Sequence, residues 1–267
     1  MDSVLVEKSG PVTTVILNRP EVRNAVDPAT GHKLVDAFLD FEADDNARVA
    51  VFHGNHGAFC SGGDLKALSA SNAKAWAEDL AFRENGNGEL PPGPLGPSRL
   101  LLNKPVIAAV AGPAVAGGME LALWCDMRVM EEDAYFGVYC RRWGVPLIDG
   151  GTVRLPRIVG LGRALDIILT GRKVTAQEAL AIGMCERLAP KGKSRQAAEE
   201  IAGELSRFPQ ECLRADRLSA YRQSGLSVRE AMRQEYWGGY SCLINEGVAG
   251  ATRFAQGKGR HGDYKEI

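Results

Sequence analysis

Apolar and polar residues alternate in two short stretches near the start of the chain, Val4–Glu7 and Val12–Leu17. Both stretches carry β-branched residues, and alternation with a period of two is typical of a β-strand. Ser9-Gly10-Pro11 lies between them and is typical of a turn. The pattern therefore predicts a β-hairpin, and a further strand is predicted at Val49–Phe52.

Between the hairpin and that strand, the apolar residues take helical spacing over Pro28–Ala43, which brings Leu34, Phe38 and Phe41 near one face. Asp27 comes directly before this stretch. An acidic N-cap followed by proline at the first helical position is a favourable start for a helix. We therefore predict a helix that begins at Pro28.

In the middle of the chain, a predicted strand runs into a predicted helix through a turn of small residues. Val106–Val110 is a short apolar run typical of a buried strand, and Ala111–Ala116 is the turn. The pair Gly117-Gly118 then opens the predicted helix Met119–Cys125. Glycines let the backbone approach a ligand closely, and the first N–H groups of a helix have no partner within the helix. The same turn of helix carries Glu120, so it offers N–H donors and a carboxylate together.

A second strand, turn and helix repeat this arrangement earlier in the chain. The predicted strand Arg48–His53 leads into Gly54–Asp64, which contains the pair Gly62-Gly63, and helical spacing follows over Leu65–Leu68. Two such turns on neighbouring strands can direct two backbone N–H groups at one carbonyl oxygen. The two stretches together predict an anion-stabilising site.

Strands alternating with helices continue through the middle of the chain and predict an α/β architecture. The further predicted strands are Met127–Met130 and Ala134–Phe136, and the further predicted helices are Leu65–Ala81, Ser98–Asn103, Gly150–Ile158, Arg163–Leu169 and Thr175–Ile182. Glu84–Pro97 is rich in Gly, Pro and Asn and is predicted to be a surface loop of the length seen in lids. From Ser194 to Glu246 the spacing is helical throughout, so we place a boundary near Pro190-Lys191-Gly192.

Composition narrows the class of protein. The chain has 267 residues and a formal net charge of −1, so no overall field favours nucleic acid or an anionic membrane. It has no apolar run of transmembrane length and no signal-peptide pattern, and its six cysteines lack CxxC spacing. The four histidines show no metal-ligand pattern. We expect a cytoplasmic protein with reduced thiols, no metal site, no membrane insertion and no nucleic-acid partner.

Several phrases of the sequence strongly resemble the crotonase, or enoyl-CoA hydratase/isomerase, superfamily. They are NRPEVRNAVD (18–27), GAFCSGGDLKAL (57–68), IAAVAGPAVAGGMELALWCDMRV (107–129), GGTVRLPRIVG (150–160) and ILTGRKVTAQEALAIGMCERL (168–188). The resemblance implies an α/β fold made of a ββα spiral with a C-terminal helical oligomerisation region. It places the crotonase core at residues 1–190 and the helical region at 191–267. It also implies a homotrimer or hexamer and an acyl-CoA substrate, whose coenzyme A is part of the substrate and not a separate cofactor.

The resemblance assigns roles to individual residues. Gly63 and Gly117 match the two positions whose N–H groups form the family's oxyanion hole, and Glu120 matches the glutamate that activates water or moves a proton. A carboxylate flanked by Met119 and Leu121 is expected to be buried, which raises its pKa and suits acid/base work. The resemblance further assigns CoA or substrate binding to Arg23, Ala25, Ser61, Gly62, Asp64, Leu65, Lys66, Gly118 and Cys140. It places the pocket lining in Ser69–Pro97 and Cys140–Asp149.

The chain departs from the family pattern at Cys140, where hydratases carry a second glutamate. A thiol does not replace a carboxylate as a proton donor to carbon at neutral pH. We interpret Cys140 as a small buried residue; a covalent role, which would need a lowered pKa, stays open because Arg141 and Arg142 are near in sequence. Asp149 is a candidate second acid/base, and it is equally well explained as the N-cap of the helix that follows.

These residues favour hydration or isomerisation of a 2-enoyl-CoA, with Glu120 and Asp149 as the catalytic acids. The missing second glutamate leaves two alternatives open. One is a CoA-thioester hydrolase or dehalogenase on the same fold. The other is a non-catalytic CoA-binding homologue.

Overall fold

In the computed structural model, residues 2–70, 74, 78, 80, 81 and 91–259 are described. The strands of this part of the chain are β1 (Val4–Ser9), β2 (Val12–Leu17), β3 (Val49–Gly54), β4 (Val106–Val110), β5 (Pro113–Val115), β6 (Met127–Glu131), β7 (Tyr135–Gly137), β8 (Lys173–Thr175) and β9 (Arg187–Ala189). They form a six-stranded sheet of order β1-β2-β3-β4-β6-β9 and a three-stranded sheet of order β5-β7-β8. In the larger sheet only β1 and β2 pair antiparallel.

Helices surround the two sheets and fill the C-terminal part. They are α1 (Pro28–Ala43), α2 (Leu65–Ala70), α3 (Gly117–Trp124), α4 (Gly151–Val159), α5 (Leu161–Thr170), α6 (Ala176–Ala181), α7 (Ser194–Leu205), α8 (Gln210–Arg222), α9 (Val228–Cys242) and α10 (Val248–Ala255). Short 3-10 helices span Pro20–Val22, Pro97–Arg99 and Tyr139–Trp143, and a π-helical turn spans Leu243–Gly247. Across the described residues, no helix is both long enough and apolar enough to cross a membrane.

The larger sheet is buried on both faces because successive residues of a strand point to opposite sides. In β3, Phe52 joins the main core, where it packs edge-on against Phe38 of α1, while Val51 joins a second cluster on the other face. That second cluster is covered by Ala198 and Ile201 of α7. A two-sided core of this kind holds β3 and β4 rigidly, and both turns of interest follow these strands.

Most local predictions are confirmed by the structure. The hairpin forms, and α1 spans the predicted residues, with Asp27 Oδ1 accepting a hydrogen bond from the N–H of Thr30 at 2.8 Å. The strand at Val106–Val110 and the helix that begins at the Gly117-Gly118 pair are also present.

Two local predictions are wrong. Ser98–Asn103 is not a helix: a 3-10 turn ends at Arg99, and the carbonyl of Ser98 accepts a hydrogen bond from Arg154 at 2.7 Å, which takes it away from the N–H it would bind in a helix. The predicted turn Ala111–Ala116 contains the short strand β5, which pairs with β7. Short pairings like this depend on a partner distant in sequence.

Two further predictions fall partly outside the described residues. Helix α2 ends at Ala70, and most of the rest of the predicted helix Leu65–Ala81 is not described. Residues 84–90 of the predicted surface loop also lie outside the described residues. The boundary near residue 190 stays a prediction; α7, which lies after it, covers the second face of the sheet.

Candidate active site

A cavity of about 390 Å³ lies where the two glycine turns meet. Its wall includes Gly63 from the turn after β3, Gly117 and Glu120 from the start of α3, and Cys140 and Asp149 from the segment that leads into α4. Five residues predicted from three separate stretches of sequence therefore share one cavity. Parallel strands bring them together, because the carboxyl ends of such strands lie along the same edge of a sheet.

The N–H of Gly63 is directed by an isolated parallel bridge to Val26. The N–H of Val26 donates to the Gly62 carbonyl at 2.8 Å, and the N–H of Asp64 donates to the Val26 carbonyl at 2.9 Å. In extended backbone, successive N–H groups point in opposite directions. The N–H of Gly63 therefore points away from Val26, and Gly63 lines the cavity.

Gly117 lines the cavity at the start of α3. Ala116, which precedes the helix, has a φ of 55° and a ψ of −126°, a conformation that L residues rarely adopt. The N–H groups of Met119 and Glu120 both donate to the Ala116 carbonyl. Gly117 is the first helical residue, so its N–H has no acceptor one turn earlier within the helix. Strain of this kind concentrates at functional sites.

Direct backbone contact holds the two turns side by side. Cys60 and Ala114 form an isolated bridge, with the N–H of Val115 donating to the Cys60 carbonyl at 3.0 Å. Gly118 permits this approach, because a methyl group on its Cα would overlap the Cys60 carbonyl oxygen. Gly118 does not line the cavity, so the structure supports a packing role for it.

We expect Gly118→Ala to lower the free energy of unfolding by about 1–3 kcal/mol, because the added methyl group must push two backbone segments apart. Chemical denaturation monitored by circular dichroism would measure the change. Gly203→Ala is the matched control: it lies in α7 with no atom within 4 Å of the added methyl group. It should be neutral or stabilising by up to about 1 kcal/mol. Equal stability of the two variants would contradict the packing role.

Glu120 is almost fully buried, with 2% of its surface exposed. Its Oε1 atom accepts hydrogen bonds from the N–H of Asp149 at 2.9 Å and the N–H of Gly151 at 2.7 Å. Burial and the nearby charge of Asp149 raise the pKa of the Glu120 carboxyl to about 8, and the two N–H donors offset only part of this. The hydrogen bonds orient the group, and the raised pKa lets it hold or release a proton near neutral pH.

The free energy of unfolding should depend on pH through Glu120. Between its ordinary pKa of 4.5 and about 8, the folded protein holds a proton that the unfolded chain has released, so stability falls as pH rises through this window. Glu120→Gln has no such proton to lose, and its side-chain oxygen can still accept both N–H groups. We expect its melting temperature, relative to wild type, to rise steadily from about pH 5 to about pH 8. Glu235→Gln, at an exposed position on α9, is the control; parallel curves for Glu120→Gln and wild type would contradict the raised pKa.

Asp149 is also buried, at 3% exposure, and it does not cap α4. The residue at the N-cap is Gly150, and no side chain caps this helix end. The helix-cap explanation is therefore wrong. The Oδ1 atom of Asp149 instead accepts hydrogen bonds from the N–H of Leu95 at 3.0 Å and from the hydroxyl of Ser98. Burial raises the pKa of Asp149 above its ordinary value, although both of these hydrogen bonds favour the carboxylate.

Arg154 ties Asp149 to the segment that carries Ser98. Its Nη1 donates to the carbonyl of Asp149 at 2.9 Å, and its Nη2 donates to the carbonyl of Ser98 at 2.7 Å. Neither Arg154 nor Ser98 was predicted from the sequence. No local pattern marks the contact between them, because Ser98 and Arg154 are 56 residues apart.

Cys140 lines the cavity and is 7% exposed. Burial and the charge of Glu120 raise the pKa of its thiol, which is the opposite of what a covalent role requires. The neighbouring arginines are engaged elsewhere: Arg141 Nε donates to the carbonyl of Ile168 at 3.3 Å, and the guanidinium of Arg142 lies 4.7 Å from the centre of the Tyr139 ring. These contacts support the interpretation of Cys140 as a small buried residue.

The residues predicted to bind CoA divide into two groups. Those that line the cavity are Ala25, Ser61, Asp64, Leu65 and Lys66. Arg23, Gly62 and Gly118 do not; Arg23 is exposed, with a φ of 51°. The binding role of all of these residues stays a prediction.

Arg19 organises the loop that carries Arg23 and Ala25, and the sequence did not mark it. Its guanidinium forms ion pairs with Asp27 at 2.9 Å and Asp64 at 3.2 Å and donates to the carbonyl of Ala25. Asp64 also accepts hydrogen bonds from the N–H groups of Lys66 and Ala67 at the start of α2. The loop before α1 and the turn that carries Gly63 are therefore held together.

The rest of the cavity wall is mostly apolar. Part of it comes from the two regions expected to line the pocket, namely Pro94, Leu95, Trp143, Val145, Pro146 and Ile148. Other apolar residues of the wall, such as Val22, Val26, Pro28 and Val115, lie outside those regions. A largely apolar cavity whose wall includes the two glycines and two buried carboxyl groups fits a ligand with a polar carbonyl and an apolar chain.

Comparison with known proteins agrees with this chemistry. Residues 7–236 match the family Enoyl-CoA hydratase/isomerase. An enoyl-CoA hydratase of Mycobacterium tuberculosis is 35% identical over 209 residues, which cover 76% of this chain and 74% of that protein. A carnitinyl-CoA dehydratase of Salmonella arizonae is 37% identical over 206 residues, again 76% of this chain and 74% of that protein.

A crystal structure of an enoyl-CoA hydratase from Mycobacterium tuberculosis superposes on this chain with a TM-score of 0.85 at 30% identity, and the alignment covers 95% of this chain and 96% of that chain. Its fold is therefore that of the present structure, including the helical C-terminal part. The resemblance noted in the sequence is confirmed: this chain belongs to the enoyl-CoA hydratase/isomerase family, the crotonase superfamily of enzymes that act on acyl-CoA thioesters.

Proposed function

We propose that the chain is an enoyl-CoA hydratase or isomerase that holds its thioester oxygen between the N–H groups of Gly63 and Gly117. The observation that carries the proposal is the shared cavity, in which these two glycines lie with the buried carboxyl group of Glu120. Neither a CoA-binding role alone nor a structural role needs a carboxyl group whose pKa is raised to about 8 at the end of an apolar cavity.

The two N–H groups would stabilise the negative charge that develops on the thioester oxygen when the acyl group becomes an enolate. Donors fixed in place before the reaction cost no reorganisation, and removing one such donor typically raises the barrier by about 3–4 kcal/mol. The turns that carry Gly63 and Gly117 are fixed by the Val26 bridge and by the start of α3. This rigidity supports their assignment as the oxyanion hole.

Hydration adds a hydroxyl group to the β-carbon of the enoyl group and a proton to its α-carbon. In the proposed reaction, the Glu120 carboxylate takes a proton from water as the water oxygen bonds to the β-carbon. The electron pair of the double bond moves towards the thioester and forms the enolate. Glu120 then gives this proton to the α-carbon, which restores the thioester carbonyl and leaves Glu120 as a carboxylate. If Asp149 donates the proton instead, Glu120 must pass its own proton to Asp149, directly or through solvent, before the next turnover. Isomerisation would use the same groups to move a proton between the α- and γ-carbons.

The names of the relatives support this direction of chemistry. One is an enoyl-CoA hydratase and another is a carnitinyl-CoA dehydratase. Hydration and dehydration are the same reaction run in opposite directions, so both names fit a site that moves water and a proton across adjacent carbons of an acyl-CoA.

Turnover of a panel of acyl-CoAs would test the proposal. The panel should contain crotonyl-CoA, longer 2-enoyl-CoAs, 3-enoyl-CoAs, an aromatic acyl-CoA and saturated thioesters. We expect loss of absorbance at the conjugated double bond with 2-enoyl substrates. Release of free CoA instead would identify a thioester hydrolase, and binding without turnover would identify a non-catalytic homologue.

We also propose that the protein assembles as a homotrimer or hexamer. The C-terminal helices expose a group of large apolar side chains, Val228, Met232, Tyr236, Trp237, Tyr240, Leu243 and Ile244. A contiguous apolar surface of this kind is typical of an interface. Multi-angle light scattering would test the assembly, and a monomer at working concentration would contradict it.

A further inference from the structure

Leu95 occupies a position between the two glycines that the sequence did not mark. Its Cδ2 atom lies 3.7 Å from the place where a Cβ atom of Gly63 would be, and a Cβ atom on Gly117 would overlap its Cδ1 atom. The side chain is 4% exposed and lines the cavity. One leucine therefore lies beside both residues whose N–H groups are proposed to hold the thioester oxygen.

The backbone around Leu95 is fixed by several contacts. Gly93 and Gly96 exchange two hydrogen bonds of 2.9 Å, which close a tight turn around Leu95. The N–H of Leu95 donates to Asp149 Oδ1, and Ser98 is held by both Asp149 and Arg154. The side chain of Leu95 thus forms part of the cavity wall, and the hydrogen bond to the candidate acid Asp149 helps to fix its position.

With the thioester oxygen at the proposed site, the first carbons of the acyl chain would lie near this wall. A thioester oxygen that accepts hydrogen bonds from both Gly63 and Gly117 places its carbonyl carbon between them, and the α-carbon is one bond further on. Because the methyl groups of Leu95 lie beside both glycines, a substituent on the α-carbon of such a thioester would come close to them. The cavity continues along Val145 and Ile148, which are compatible with an extended apolar chain.

We propose that Leu95 is a specificity-determining residue that selects acyl-CoAs without a branch at the α-carbon. The inference rests on the proposed function, because it takes the thioester oxygen to bind at Gly63 and Gly117. Asp149 acts here as a positioning residue for Leu95, in addition to any role in proton transfer. The discrimination expected from one methyl group in an apolar pocket is about 10- to 200-fold.

The test compares Leu95→Ala with wild type on two pairs of thioesters. The first pair is crotonyl-CoA and its 2-methyl analogue tiglyl-CoA, followed by kcat/KM. The second pair is butyryl-CoA and 2-methylbutyryl-CoA, which have no double bond to hydrate and are followed by Kd from calorimetry. We expect Leu95→Ala to raise the preference for the branched member of each pair by about 10-fold or more.

Two further variants control the comparison. Ile148→Ala also removes a large aliphatic side chain from the cavity wall, but Ile148 is not among the nearest neighbours of either glycine, so the branched-to-unbranched ratio should stay at the wild-type value. Leu95→Val removes a single methylene group; it should shift the ratio in the same direction by a smaller factor, and it carries the test if the alanine variant does not fold.

The inference would be overturned if Leu95→Ala raised kcat/KM and affinity equally for branched and unbranched thioesters, since Leu95 would then merely block the site. An equal loss would also overturn it and would assign Leu95 to packing alone. The saturated pair separates this question from the proposed function. If neither enoyl-CoA is hydrated but Leu95→Ala shifts the ratio of the two Kd values, the proposed hydratase function is wrong and the proposed selectivity of Leu95 is supported. If hydration occurs and neither ratio shifts, the function stands and the selectivity fails.

Discussion

Glu120→Gln should lower kcat for hydration of a 2-enoyl-CoA by a factor of about 10²–10⁴, the usual contribution of a positioned acid/base. Glutamine matches glutamate in shape, and its side-chain oxygen can accept the same hydrogen bonds from the N–H groups of Asp149 and Gly151. It cannot take a proton from water. The Kd for a saturated acyl-CoA should change little, because the proposed thioester site consists of backbone N–H groups.

Steady-state kinetics and calorimetry on the same preparation would measure both quantities. The exposed Glu235→Gln variant is again the control, since it makes the same chemical change away from the cavity. A kcat close to that of wild type would remove Glu120 from the proposed mechanism. A loss of thioester binding as large as the loss of kcat would show that the substitution had damaged the site itself.

Asp149→Asn should lower kcat by about 10²-fold and move the pH profile of the remaining activity. Asparagine can still accept hydrogen bonds from the N–H of Leu95 and the hydroxyl of Ser98, so the wall at Leu95 should stay in place. The negative charge is lost, and this charge is one cause of the raised pKa of Glu120. In the plot of kcat/KM against pH, the limb set by ionisation of Glu120 should therefore move from about pH 8 towards lower pH.

The measurement is kcat/KM from about pH 5 to about pH 10 for wild type, Asp149→Asn and Ser98→Ala. Ser98→Ala removes one hydrogen bond to Asp149 and leaves its charge, so its limb should stay closer to that of wild type. Asp149→Asn could keep the wild-type kcat and still show a shifted pH profile of kcat/KM. That result would limit Asp149 to positioning and would contradict its role as a second acid. An unshifted limb would contradict the electrostatic coupling of the two carboxyl groups.

Much of the site could be predicted because its parts are local. A strand that ends in a glycine pair and continues as a helix is encoded by consecutive residues. This pattern identifies the two glycine pairs and Glu120 as candidates, and the family resemblance then singles out Gly63 and Gly117. The Asp27 cap and the strand Val106–Val110 were predictable for the same reason. The pattern of the whole chain also indicated the family, which the comparisons confirm.

The parts that escaped prediction depend on contacts between residues far apart in the chain. Leu95 and Asp149 are separated by 54 positions, and Ser98 and Arg154 by 56. Asp149 followed by a helix fits an N-cap from sequence alone, yet its side chain turns to the Leu95 segment because Gly150 occupies the cap position. The helix predicted at Ser98–Asn103 was lost to the same contacts.

By itself, the sequence determined the hairpin, α1, the two glycine turns and the carboxyl group of Glu120 that follows the second turn, because each depends on neighbours in the chain. Only the tertiary structure decided that Glu120 is buried against Asp149 and that Leu95 stands between the two glycines. Burial, close packing and the electrostatic coupling of two carboxyl groups arise when distant segments meet, and no stretch of residues encodes them alone.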